Sequence, residues 1–123
     1  MDERAKIGRW GEDLAAAVLE IRGWKIVDRN WRPDPRETSV RGELDIVASD
    51  RGRLVICEVK TRSSLEFGHP FEAIGPAKTK KLCLLANLWA RETGIYPGGL
   101  RVDAVSVVGG PRRFSLEHRE GVI

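Results

Sequence analysis

The sequence predicts an α/β domain with a mixed central β-sheet flanked by helices. Three observations predict it. Residues 4–22 and 77–93 repeat apolar side chains at helical spacing. Two apolar runs, residues 42–48 and 54–60, are joined by a turn-forming segment in the manner of a β-hairpin. A further apolar run, residues 100–108, follows the second helical stretch, so strands and helices interleave along the chain.

Each element has its own warrant. In the first helix Ile7, Trp10, Leu14, Val18 and Ile21 recur at steps of three and four and draw one apolar stripe. Gly23 ends it, as glycine commonly does at a helix C-terminus. A first strand is expected over residues 24–27. Pro33 and Pro35 break the polar loop that follows, residues 32–41. The hairpin turns through Ser49-Asp50-Arg51-Gly52-Arg53. Gly68, Pro70, Gly75 and Pro76 mark residues 61–76 as loop. In the second helix Leu82, Leu85, Ala86 and Trp89 share one face. Gly94, Pro97, Gly98 and Gly99 make a break before the strand at 100–108, and residues 114–117 give a short last strand.

Composition narrows the class. A chain of 123 residues with 41% hydrophobic content fits a single globular domain, residues 1–123, with a real core. A net charge of +3 permits nucleic-acid binding without demonstrating it. Cys57 and Cys83 lie in apolar runs with no CxxC pair, which argues against a cysteine zinc site or a disulfide framework and for a reducing compartment. The first residues carry no signal-like apolar stretch. The longest apolar run, residues 82–90, is interrupted by Asn87 and falls far short of the ~20 residues a membrane helix needs. No membrane partner and a cytoplasmic location are the expectation.

Asp45, Glu58 and Lys60 stand out because they interrupt apolar strands, where an unpaired charge is costly. Side chains two apart on a strand share a face, so Glu58 and Lys60 point one way, and Glu43 and Asp45 likewise. Pairing around the hairpin turn brings Asp45 near Glu58. Crowded carboxylates have raised pKa values unless a cation compensates. A hard divalent ion, Mg²⁺ or Mn²⁺, does so with oxygen ligands and leaves positions for water and phosphate. Lys60 is then placed to hold a scissile phosphate or serve the attacking water. The bland account is an ion pair of Glu58 or Asp45 with Lys60 at a sheet end. Arg62, just after the strand, suits phosphate, or is simply a solvated loop residue. Lys78, Lys80 and Lys81 give the second helix a basic start, where a phosphate would also bind; a solvated face is the alternative. Arg101 and Asp103 share a face and are expected to pair. His69 is expected to be structural, His118 exposed, and the four tryptophans core or staple residues.

Asp45, then residues 46–57, then Glu58-Val59-Lys60 resembles the PD-(D/E)xK nuclease signature, with Leu44 where the pattern has proline. Further segments agree with a narrower family. They are Trp10-Gly11-Glu12, Arg29-Asn30-Trp31-Arg32, Gly42-Glu43-Leu44-Asp45-Ile46-Val47-Ala48, Glu58-Val59-Lys60-Thr61-Arg62, Phe67-Gly68-His69-Pro70 and Arg101-Val102-Asp103. Together they resemble the YraN-like uncharacterised protein family over nearly the whole chain. The resemblance implies a restriction-endonuclease-like fold related to Holliday-junction resolvases, and no established activity. The proline-rich loop at 32–40 looks longer than that family's link, which leaves its role open. The resemblance also implies that Glu12, on the first helix, completes a metal site with Asp45 and Glu58. Periodicity alone would leave Glu12 a solvated helix residue, since it lies off the apolar stripe. Glu43 would be a helper acid at the loop mouth.

The leading expectation is a metal-dependent nuclease acting on DNA, branched or structured forms included. A non-catalytic nucleic-acid-binding or accessory module of the same fold is the alternative, and a structural ion-pair cluster in an interaction domain is a third. Processing a four-way junction would use two active sites, which makes a homodimer an expectation, although nothing in the sequence identifies an interface.

Overall fold

The computed structural model describes residues 2–66, 68–96 and 98–122; Phe67 of the loop motif and Pro97 of the break lie outside the described residues. Helix α1 (Glu3–Ile21) opens the chain. Asp2 caps it from extended backbone, its carboxylate accepting the Ala5 N–H at 2.8 Å. Gly23 follows with φ +89, past the last turn as expected. The buried stripe of α1 is not the one expected. Gly11, Ala15, Ala16 and Leu19 are buried, Trp10 and Leu14 only flank them, and Ile21 is 85% exposed. Small residues win because they let the helix backbone approach the sheet: a Cβ built on Gly11 would stand 2.0 Å from Thr61 Oγ1. This rotation puts Glu12 in line with Ala16 and Leu19, on the side facing the sheet.

Five strands form one sheet in the order β1 (Lys25–Trp31), β2 (Leu44–Asp50), β3 (Arg53–Arg62), β4 (Leu100–Gly110) and β5 (Arg113–Arg119). All neighbours are antiparallel except β3 and β4. That parallel pair needs a long crossover, which α2 (Pro76–Thr93) supplies. The sheet is therefore mixed and helix-flanked, as expected. β1 runs on to Trp31 instead of stopping at Val27, because pairing with β2 carries it through polar residues. The hairpin turn is also tighter than the expected five residues. Asp50 pairs directly with Arg53, leaving Arg51 (φ 54) and Gly52 (φ 81) as the turn. Two positive φ values in a two-residue turn match the right-handed twist of the strands.

Each sheet face carries its own core. On one, Leu82, Leu85, Ala86 and Trp89 of α2 pack on Leu44, Val47, Ile56 and Val102, as the helix periodicity predicts. On the other, Ala15, Ala16 and Leu19 of α1 pack on Ile46, Ala48, Cys57 and Val59. Trp89, fully buried, donates its indole N–H to Asp28 at 2.9 Å. Cys57 and Cys83 are free. Among the described residues no helix is long and apolar enough to cross a membrane. The expected loop at 61–76 contains a 3₁₀ turn, Pro70–Ala73, which His69 caps by accepting the Phe71 N–H at 3.1 Å.

Candidate metal centre

The β2–β3 ladder reaches its last pair at Ile46 and Cys57. One step further Asp45 stands across from Glu58. There the aspartate side chain replaces the backbone: Asp45 Oδ2 accepts the Val59 N–H at 2.9 Å. The regular alternation of β2 also breaks at this point. Leu44 and Val47 pack on the α2 face while Ile46 packs on the α1 face. Beside the break, Asn30 of β1 takes φ +52, a conformation asparagine tolerates better than most residues.

That twist of backbone draws acidic groups from three segments together. Asn30 Nδ2 donates to Glu12 Oε1 at 2.6 Å and to Glu43 Oε1 at 2.9 Å. Arg32 Nε donates to Glu43 Oε2 at 2.8 Å. Carboxylate oxygens of Glu12, Glu43 and Asp45 all lie within 4.8 Å of one another. The sequence nominated Asp45, Glu58 and Glu12 as ligands. The structure gathers Glu12 and Asp45 with Glu43, while Glu58 turns toward the α2 face. Periodicity left Glu12 to solvent, and only the resemblance placed it at the site.

Glu58 is 3% exposed, and its partner is Lys78, whose Nζ lies 2.9 Å from Oε2. The ion pair assigned in the bland account to Lys60 therefore belongs to Lys78, which reaches in from the first turn of α2. Oε2 is buried, and the Lys78 ammonium is what neutralises it. Lys60 is half-buried two residues on, with no ion-pair partner within 4 Å among the described residues. Among the described residues the Arg62 side chain donates only to the Thr61 carbonyl, at 3.3 Å.

The electrostatics follow from this crowding. Burial, and then the neighbouring Glu58, push the Asp45 carboxyl up to about 9. Burial would raise Glu58 as well, but a hydrogen bond from Asp45 and the Lys78 ammonium hold it below its ordinary value. The two acids therefore share one proton at neutral pH, carried by Asp45. Burial raises Glu12 too, against the Asn30 hydrogen bond. Lys78 stays above its usual value because Glu58 outweighs its own burial. Removing Lys78 orphans a buried carboxylate. Lys78→Ala is expected to cost about 1–2 kcal/mol, the full penalty being reduced because the ammonium is 37% exposed. Lys60→Ala should stay within about 0.5 kcal/mol. Thermal unfolding of the two variants checks this, and equal losses would contradict the pairing.

The donor set suits a hard divalent cation. Three carboxylates within reach of one another supply oxygen ligands, and the buried Glu58, paired with Lys78, stands next to Asp45. Beside them a cavity of about 820 Å³ opens over Glu12, Asn30 and Glu43, with Arg9, Arg29 and Arg32 on its walls. Sequence reasoning assigned no role to Asn30; an asparagine in a strand-like segment, with its tolerance of positive φ, was the available signal. Asp103 does pair with Arg101, at 2.8 and 3.1 Å, as expected. His118, expected to be exposed, has a side chain only 1% exposed because Asp103 binds its Nε2 at 2.8 Å.

A model of the uncharacterised protein family UPF0102 matches residues 11–107, a span that holds every residue of the acidic site. The chain belongs to this family. Relatives agree along nearly their whole length. A UPF0102 protein of Arthrobacter sp. is 50% identical over 125 residues, covering 97% of this chain and 98% of its own. One from Renibacterium salmoninarum is 48% identical over 123 residues and one from Streptomyces griseus 47% over 125, each covering 99% of both chains. The YraN-like resemblance seen in the motifs is this UPF0102 membership.

Proposed function

We propose that this UPF0102 chain is a metal-dependent nuclease of the restriction-endonuclease-like kind, hydrolysing phosphodiesters in DNA, branched or structured forms included. The observation that carries it is the Glu12–Glu43–Asp45 group beside the Asp45–Glu58 pair, whose Glu58 sits on the strand that also presents Lys60. Asp45 and Glu12, with Glu43 beside them and Glu58 across the strand, would hold Mg²⁺ or Mn²⁺. Such an ion, when bound, neutralises phosphate charge and acidifies a water. As a ligand Asp45 would have to be deprotonated. Lys60 orients the scissile phosphate and the attacking water. Asn30 and Arg32 hold Glu12 and Glu43 in place, and Arg62 lies two residues beyond Lys60 for the flanking backbone.

Incubating the purified protein with Mg²⁺ or Mn²⁺ and linear, nicked and four-way DNA tests the reading. Cleavage is expected, falling by about 100-fold or more in Asp45→Asn and Lys60→Ala. No cleavage of any substrate, or cleavage by either variant unchanged from the parent, would overturn it.

The internal pairing of Glu58 with Lys78, and of Glu43 with Arg32, favours one second reading: a non-catalytic nucleic-acid-binding module that keeps the fold. It predicts salt-sensitive DNA binding unchanged by Glu58→Gln and no divalent binding by calorimetry in the millimolar range.

A further inference from the structure

We propose that the arginine-lined pocket at the hairpin-turn end of the sheet is a second ligand site, and that it takes a phosphate group. The pocket encloses about 530 Å³ between Arg22, Arg51, Arg53 and Arg101, with Trp24, Asp50 and Glu120 also on its walls. It lies at the opposite end of β3 from Lys60, roughly 20 Å away at strand rise. It is therefore separate from the acidic centre and does not rest on the nuclease reading.

Two of its guanidinium groups are fixed in advance. Arg101 is 16% exposed, with Nε and Nη2 on the buried Asp103 and its plane 5.1 Å over the Trp24 ring. Its Nη1 has only long approaches, 3.8 Å to Asp50 and 3.7 Å to Glu120, beyond hydrogen-bond reach. Arg22 donates through Nη1 to His118 Nδ1. On the other side of the ring, His118 Nε2 lies 2.8 Å from Asp103 Oδ2, which fixes the imidazole in place. Arg22 is thus oriented without losing its charge. Arg51 stands in the two-residue turn and Arg53 directly follows it, and neither they nor Arg22 has a carboxylate within 4 Å among the described residues. The pocket keeps an excess of positive charge and several unused forked donors.

This donor arrangement selects the anion. One guanidinium fork satisfies a carboxylate, whereas forks converging from several sides suit a tetrahedral anion with three or more acceptor oxygens. The same corner places Asp103, His118 and Glu120 near enough to hold a cation. Both His118 nitrogens and both Asp103 oxygens are already committed, however, so a cation would have to break that network. A phosphate would only displace the long contacts of Asp50 and the exposed Glu120 from Arg101.

Amide NMR of Lys60→Ala protein, which cleavage would not disturb, tests the site. It is titrated in turn with pyrophosphate and with a short blunt DNA duplex, with chloride holding ionic strength constant. Saturable shifts are expected at Gly23, Arg51, Gly52 and Arg53. Affinity should weaken at least about fivefold when Arg51→Gln/Arg53→Gln, both on the exposed turn, is added. The same shifts with pyrophosphate identify a free phosphate compound; shifts with duplex alone identify a nucleic-acid backbone. No saturable shift with either probe, or unchanged affinity in the turn variant, overturns the site.

Discussion

Asp45→Asn protein is expected to melt higher than the parent chain at pH 8 and at about the same temperature at pH 4. The folded state holds the Asp45 carboxyl near 9, against 3.8 for the unconstrained group. Below the unfolded value both states carry the proton, and the group costs nothing. As pH rises above it, the unfolded chain gains by ionising while the folded chain does not. Stability is therefore lost across the window from about 4 to 9. Asparagine reproduces the protonated form: its oxygen still accepts from Val59, and its amide still donates toward Glu58. It cannot ionise, so the slope disappears. The gain at pH 8 is of the order of 2–3 kcal/mol, or roughly 5–10 °C. Mn²⁺ should act in the opposite sense, stabilising the parent with release of a proton and leaving the variant unmoved. A lower melting point for the variant, or parallel pH slopes, would show that Asp45 is not held protonated.

Gly11→Ala is expected to destabilise the fold by about 2 kcal/mol, although alanine is the better helix former by about 1 kcal/mol. The new methyl would meet Thr61 Oγ1 at 2.0 Å, with Thr61 Cβ and Cγ2 at 3.0 Å, so turning the threonine about χ1 brings no relief. α1 must lift off β3, and Glu12 moves with it. Thr61→Ala in the same chain should restore most of the loss, because it removes Oγ1 and Cγ2 and leaves only Cβ at 3.0 Å. Denaturant unfolding of both single variants and the double variant measures the coupling. A stabilised Gly11→Ala protein would mean that the helix sits further from the sheet.

The order and type of the elements were legible because each rests on a local pattern. Leu82, Leu85, Ala86 and Trp89 form a core face whatever surrounds them, and the hairpin arms announce themselves by composition. The burial of α1 was not legible in the same way. A hydrophobicity pattern favours Trp10, Leu14 and Ile21, whereas the decisive quantity was how closely the backbone could approach Thr61, a distance that a one-dimensional pattern does not contain. The same holds at the candidate site. The proximity of Asp45 to Glu58 follows from strand pairing and could be expected. The choice of Lys78 over Lys60 as the partner of Glu58 depends on where a crossover helix lands. The grouping of Glu12 with Glu43 depends on one asparagine in a left-handed conformation. The burial of His118 likewise needed Asp103, brought alongside by the β4–β5 pairing.

β3 is the middle strand of five, paired on one side with β2 and on the other with β4. Its amides should exchange with deuterated water only when the sheet as a whole opens. Glu58 and Lys60 sit on that strand, whereas Asn30 belongs to the edge strand β1, Glu43 precedes β2, and Glu12 comes from a helix lying on one face. The acidic centre thus joins a slow-exchanging anvil to faster-exchanging jaws. A cation closing on it would show first as slowed exchange around Asn30 and Glu43, with β3 itself almost unchanged.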